Sequence, residues 1–160
     1  MKNYGYLFLI VILFVNCCTA ENEVDDYVEE ELIAPGTTEI KLAIDLTEKE
    51  NLVLSDNNGL KSAAISFISS VNSGDTVKWY VDEESNINTI EEIIIVDKEC
   101  DELFENGVVF NPDKTECFAV LAQEANGEVK YDIRYVCADG TEVIVDPYLK
   151  VKKVTPPPRE

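Results

Sequence analysis

From Glu39 onward, polar and apolar residues alternate with a period of two, and turn residues interrupt the alternation at short spacing. That is the pattern of strands with one buried face. Glu39 to Leu46 alternates over its whole length. Ser73-Gly74-Asp75 predicts a turn into a strand over Thr76 to Asp82, with Val77, Trp79 and Val81 on one face and Lys78, Tyr80 and Asp82 on the other. This makes Trp79 a core residue rather than a ligand platform. Ile90 to Val96 carries three consecutive isoleucines and reads as a strand buried on both faces. Asn106-Gly107 favours a tight hairpin between Leu103-Phe104 and Val108 to Phe110. Asn111 to Lys114 suits a type I turn into Cys117 to Leu121. Asn126-Gly127 would fold that strand back on Glu128 to Cys137, and Asp139-Gly140 would join the latter to Thr141 to Val145. Tyr148 to Val154 closes the series. Leu60 to Val71 is ambiguous: its alanines favour a short helix, while the alternation of Ile65 and Phe67 favours a strand, which is preferred. About seven to nine short strands with turns every 8 to 12 positions predict an all-β fold, an antiparallel β-sandwich over residues 39–154.

The first residues follow a different rule. Leu7 to Val15 is an unbroken apolar run behind Lys2. As a helix it would span about 14 Å, half a bilayer core, which suits a signal peptide rather than a transmembrane anchor. The run ends at Phe14-Val15-Asn16-Cys17-Cys18, which resembles a bacterial lipobox. The resemblance implies that Cys18, or Cys17, takes up lipid and becomes the mature N-terminus, with residues 1–17 removed. Cys18-Thr19-Ala20 also resembles an ordinary small-x-small cleavage site that would release a soluble protein from Glu21. The lipoprotein reading is preferred of the two. Seven carboxylates between Glu21 and Glu31 repel one another and make residues 18–38 a solvated acidic tether. Acidic residues soon after a lipidated cysteine resemble the surface-export signals of Bacteroidetes-type lipoproteins. Thr155 to Glu160 reads as an exposed proline-rich tail.

Charge and composition narrow the chemistry. The 160 residues hold 13 Lys and Arg against 32 Asp and Glu, a net charge of -19. A phosphate backbone would repel such a chain, so nucleic acid is excluded as a partner. There is no histidine, which removes Ser-His-Asp and Cys-His catalysis, histidine-held zinc or copper, and histidine pH switching. Cys100, Cys117 and Cys137 would face an oxidising compartment after export. Being three, they allow at most one internal bridge. A two-residue turn at Asn126-Gly127 would set Cys117 opposite Val136, one step from Cys137. Cys117–Cys137 is therefore preferred over Cys100–Cys117, and three buried thiols stay open as a third reading. Acidic loops at Asp56, at Asp82-Glu83 and at Asp97 to Asp101 are candidate calcium ligands, weighed against the stronger reading of solvated loop charge. Outward Tyr80, with Tyr131 or Tyr148, is a candidate aromatic platform for sugar. No cofactor is expected.

Three further resemblances bear on fold. Tyr135-Val136-Cys137 resembles the Tyr-x-Cys of an immunoglobulin strand and implies an Ig-like sandwich, without the upstream cysteine of true members. Gly74-Asp75-Thr76-Val77-Lys78-Trp79 resembles a strand opening of cupredoxin-like domains, whose copper site needs histidines this chain lacks. The same string, with Val145-Asp146-Pro147-Tyr148, resembles bacterial inclusion-body proteins of the AidA/PixA type and implies a sandwich fold alone. The expectation is a non-enzymatic, lipid-anchored binding or assembly module on the bacterial outer membrane or cell surface, with an unknown protein or glycan partner. The alternatives are a secreted or periplasmic carbohydrate-binding or carbohydrate-active protein and a calcium-dependent adhesion domain.

Overall fold

Alternation is realised as burial along nearly every strand. The computed structural model describes residues 35–44, 52–96 and 103–154. Eleven strands are found among them: β1 (Thr37–Ile44), β2 (Leu52–Asp56), β3 (Lys61–Ala63), β4 (Ile68–Asn72), β5 (Thr76–Val81), β6 (Ile87–Ile95), β7 (Val109–Phe110), β8 (Glu116–Val120), β9 (Gly127–Cys137), β10 (Glu142–Val145) and β11 (Tyr148–Lys152). Only a single 3-10 turn, Ala64–Ser66, interrupts the all-β pattern among the described residues. In β1, Thr38, Ile40 and Leu42 are buried while Glu39 and Lys41 face out; in β9, Val129, Tyr131, Ile133 and Tyr135 are buried.

The strands form two packed sheets, an all-β sandwich as the alternation predicted. The first sheet has the order β3-β2-β1-β5-β8-β7. The second is built around β9. Along one edge of β9, β10 and β11 continue a single register, Val145 opposite Ile133 and Tyr148 opposite Lys130. Pro147 sits between them; it has no N–H to donate, and its carbonyl accepts Tyr131 N at 3.1 Å. β6 lies along the other edge of β9, and β4 lies outside β11. Two pairs are parallel, β1 with β5 and β4 with β11, so the sheets are mixed rather than purely antiparallel. The cause is the path of the chain. After β3 it crosses to the second sheet through the 3-10 turn, and after β4 it returns through Ser73-Gly74-Asp75, so that β5 runs alongside β1 in the same direction.

That return turn pins both ends of the sandwich. Asp75 N donates to Asn72 O at 3.2 Å, and Gly74 takes a φ of 81°, the left-handed conformation that glycine adopts without penalty. Asp75 is 7% exposed, and its carboxylate accepts Gly36 N at 2.7 Å and Asn72 N at 3.1 Å. Thr76 N donates to Gly36 O. Ser73 Oγ accepts Val154 N at 2.9 Å, and Ser73 N donates to Lys152 O. Where the chain enters, at Gly36, and where it leaves, at Val154, it is therefore held by the same few residues.

The core lies between the sheets. Trp79 from β5 and Tyr131 from β9 are fully buried, and Trp79 Nε1–H donates to the Tyr131 hydroxyl at 3.2 Å across the gap. Phe104 stands edge-on to Trp79, with ring centroids 6.1 Å apart at 82°, the quadrupole-favoured arrangement. Ile40, Leu42, Leu54, Phe67, Ile90, Ile133 and Leu149 fill the rest.

Several local expectations are corrected. Asn126-Gly127 does not form a hairpin: β8 is paired on both edges, by β5 and β7, and β9 lies in the other sheet. Asn106-Gly107 does not turn the chain back either. Phe104 pairs with Leu121 and Val109 with Phe118, so both sides of this dipeptide run along the same edge of β8, with two extra residues looped out. The reversal comes at Asn111 to Lys114, as predicted, with Lys114 N bonded to Asn111 O. β6 is an edge strand broken by two register shifts; Ile87, Ile90 and Ile93 are buried, whereas Ile94 and Val96 are exposed, so it is not buried on both faces. Ile65 is 77% exposed in the 3-10 turn, and burial alternates through Phe67, Ser69 and Val71 instead. β1 starts at Thr37, inside the segment assigned to the tether.

Candidate binding face

An open depression of about 760 Å³ spans the outer face of the first sheet and its rim, where Ile87 of β6 reaches it. Strand register builds it. Parallel pairing sets Lys41 of β1 beside Tyr80 of β5, and antiparallel pairing sets Tyr80 beside Glu116 of β8. Each residue points outward because its neighbours Leu42, Trp79 and Cys117 point into the core. The turn after β5 supplies Asp82 and Glu83. The depression lies at the C-terminal end of β5, whereas Gly36 is bonded at its N-terminal end.

Its two cations are both engaged. Lys41 Nζ is 2.9 Å from Asp82, and this contact raises the ammonium's pKa while lowering that of the carboxyl. The Glu84 backbone N–H, donated to Asp82 Oδ1, lowers the latter further. Lys78 Nζ is 3.1 Å from Glu116 and 5.5 Å from the Tyr80 ring centroid, a cation–π distance. These exposed pairs fix side-chain positions more than they stabilise the fold. Five carboxylates against two ammonium groups line the depression, Glu39 and Glu84 among them, so it favours cationic or hydroxyl-rich partners over anions.

The aromatic platform expected from Tyr80 with Tyr131 or Tyr148 is not assembled. Tyr131 is in the core, where burial raises its pKa well above the usual range. Tyr148 is on the outer face of the second sheet, beneath Lys130.

The calcium candidates are likewise apart. The Asp56 carboxylate is 9% exposed and already satisfied: Oδ1 accepts Asn58 N and Leu60 N, and Oδ2 accepts Ser69 Oγ at 2.6 Å. It closes the turn between β2 and β3. Asp82 is paired with Lys41, and Glu83 is exposed. No group of three or more Asp, Glu or Cys side chains among the described residues is arranged to hold a metal ion. Asp97 and Asp101 lie outside the described residues, as do Cys17, Cys18 and Cys100.

Cys117 and Cys137 are free thiols on strands of different sheets, which corrects the bridge drawn through the missing Asn126-Gly127 hairpin. Cys117 stands opposite Trp79, and burial pushes its pKa up to about 12. Cys137, at the end of β9, is raised by partial burial and by the Asp139 charge. Sequence reasoning missed the Trp79–Tyr131 bond and the Asp75 clasp. The signals available were the turn position of Asp75 and the alternation that puts Tyr131 on one face with Val129, Ile133 and Tyr135.

No protein-family model matches this chain, and no curated protein matches its sequence. No helix among the described residues is long and apolar enough to cross a membrane.

Proposed function

We propose that the protein is a lipid-anchored, exported β-sandwich that works by binding rather than by catalysis, attached through Cys18 or Cys17. The observation that carries this reading is the cysteine pair closing the apolar run Leu7 to Val15, followed by seven carboxylates within Glu21 to Glu31. A single acyl chain anchors weakly, so stable attachment takes the several chains of a mature lipoprotein. The sandwich supports the reading in one respect. The depression around Tyr80 lies at the end of β5 remote from Gly36, so this face is at the far end of the sandwich from where the described chain enters it.

Intact mass spectrometry of the protein from a detergent-solubilised membrane fraction tests the proposal. The expected mass starts at Cys18 or Cys17 and carries acyl chains. A mass starting at Glu21 in the soluble fraction would overturn it and favour a secreted binding protein.

A further inference from the structure

Four places in the described structure put a glycine after Asn or Asp in an exposed turn or loop: Asn58-Gly59, Asn106-Gly107, Asn126-Gly127 and Asp139-Gly140. Such steps lose side-chain amide, or isomerise, when the glycine N attacks the preceding side-chain carbonyl carbon. Glycine lacks the Cβ that would hinder that approach. A backbone N–H already donated to a carbonyl is withheld from this attack until its bond breaks.

Three of the four steps are held in this way. Gly59 N donates to Asp56 O at 3.1 Å, and Asn58 N is fixed on Asp56 Oδ1. Gly140 N donates to Cys137 O at 2.9 Å, and the Asp139 carboxylate is engaged by Thr141 N. Gly127 opens β9 opposite Val151. Because Tyr131 N points to the β11 edge at Pro147, the two-residue period of the strand aims Gly127 N at the same edge. Asn106-Gly107 differs. It is the loop of two extra residues on the edge of β8, and Gly107 N donates to no described residue.

We propose that Asn106 is a site of spontaneous covalent modification, where the bulge on the outer edge of the first sheet converts to aspartate and isoaspartate. Gly107 N bonds to Asn106 Cγ, the Cγ–Nδ2 bond breaks, and ammonia leaves with the displaced proton, giving a five-membered imide. Water then opens either C–N bond of the ring; no oxidant or reductant takes part. The product carries a new carboxylate beside Glu105. The isoaspartate form adds one backbone methylene, which a looped-out segment accommodates without disturbing Phe104 against Trp79. Attack needs the deprotonated amide, so the rate rises with pH.

Peptide mapping of the full chain, aged at mildly alkaline pH in native buffer and separately in denaturant, tests the proposal. In native buffer Asn106 is expected to convert about tenfold or more faster than Asn58 and Asn126, the factor for one backbone hydrogen bond that must break first. In denaturant the three should convert at comparable rates. Equal rates in native buffer, the same ranking in denaturant, or an Asn106 that survives natively while the unfolded chain reacts there would each overturn it.

Discussion

Replacing Tyr131 with phenylalanine removes one oxygen from the middle of the sandwich and nothing else. The ring stays, so no cavity opens, but the Trp79 Nε1–H loses the acceptor it reaches at 3.2 Å. Both residues are fully buried, so water cannot replace the hydroxyl. A buried donor left without a partner costs about 1–3 kcal/mol, and Tyr131→Phe should destabilise the protein by that amount. The informative comparison is with Trp79→Phe, which removes the donor and costs more on its own, because the indole also packs on Phe104. In the Trp79→Phe background the Tyr131 hydroxyl is itself stranded, and removing it should cost nothing or stabilise slightly. Urea unfolding of the four proteins, followed by circular dichroism because the protein has a single tryptophan, gives the coupling directly. A value of about 1–3 kcal/mol is expected. Additivity within about 0.5 kcal/mol would show that the hydrogen bond between the sheets contributes nothing, and the argument for it would fail.

Asp56→Ala strands Asn58 N, Leu60 N and Ser69 Oγ; thermal melting should show a loss of about 2–3 kcal/mol, and EDTA should leave the wild-type melting temperature unchanged. Alkaline pH should destabilise the fold in a defined window. Cys117 titrates from 9.0 in the unfolded chain to about 12 in the folded one, and Tyr131 from 10.0 to a higher value. The unfolded state therefore releases its protons first, and stability falls by about 1.4 kcal/mol per pH unit for each group as pH rises above 9 and then 10. A flat stability curve from pH 8 to 11 would contradict this. For the same reason native alkylation should reach Cys137 well before Cys117, whose thiolate is about 10³-fold scarcer than that of an ordinary cysteine; equal labelling would refute it. Gly74→Ala should cost about 1–2 kcal/mol for a Cβ at positive φ, and it must also displace Gln123, whose Nε2 would lie 2.5 Å from the new methyl.

What the sequence could disclose was governed by locality. The β5 pattern named Val77 and Trp79 as core because period two is a property of the strand itself. The Asp139-Gly140 hairpin was readable because β9 and β10 pair directly across it. Asn126-Gly127 has equally good turn chemistry and misled, since the outcome there depends on a distant fact: β5 and β7 already occupy both edges of β8. The parallel pairs were invisible for a related reason, being consequences of two crossings between sheets. On the candidate face, Lys78, Tyr80 and Asp82 could be placed together from β5 alone. Lys41 and Glu116 could not, because they join through inter-strand register. Tyr131 as a platform partner runs against the alternation of its own strand, which puts it on one face with Val129, Ile133 and Tyr135, the face that is buried.

The turn at Ser73-Gly74-Asp75, which holds Gly36 and Val154 together, also sets how the sandwich bears load. A pull on the N-terminal side enters at Gly36 and passes first to Asp75 and Thr76, at the head of the β1–β5 parallel pair. Withdrawing β1 along its axis means breaking its bonds to β2 and β5 together in shear, rather than unzipping them one at a time. The same neighbourhood of ends makes the chain suited to rewiring. A short linker from Val154 to Gly36, with a new opening at the Asn111–Lys114 turn, would preserve every strand pairing while moving the chain's ends to the opposite pole.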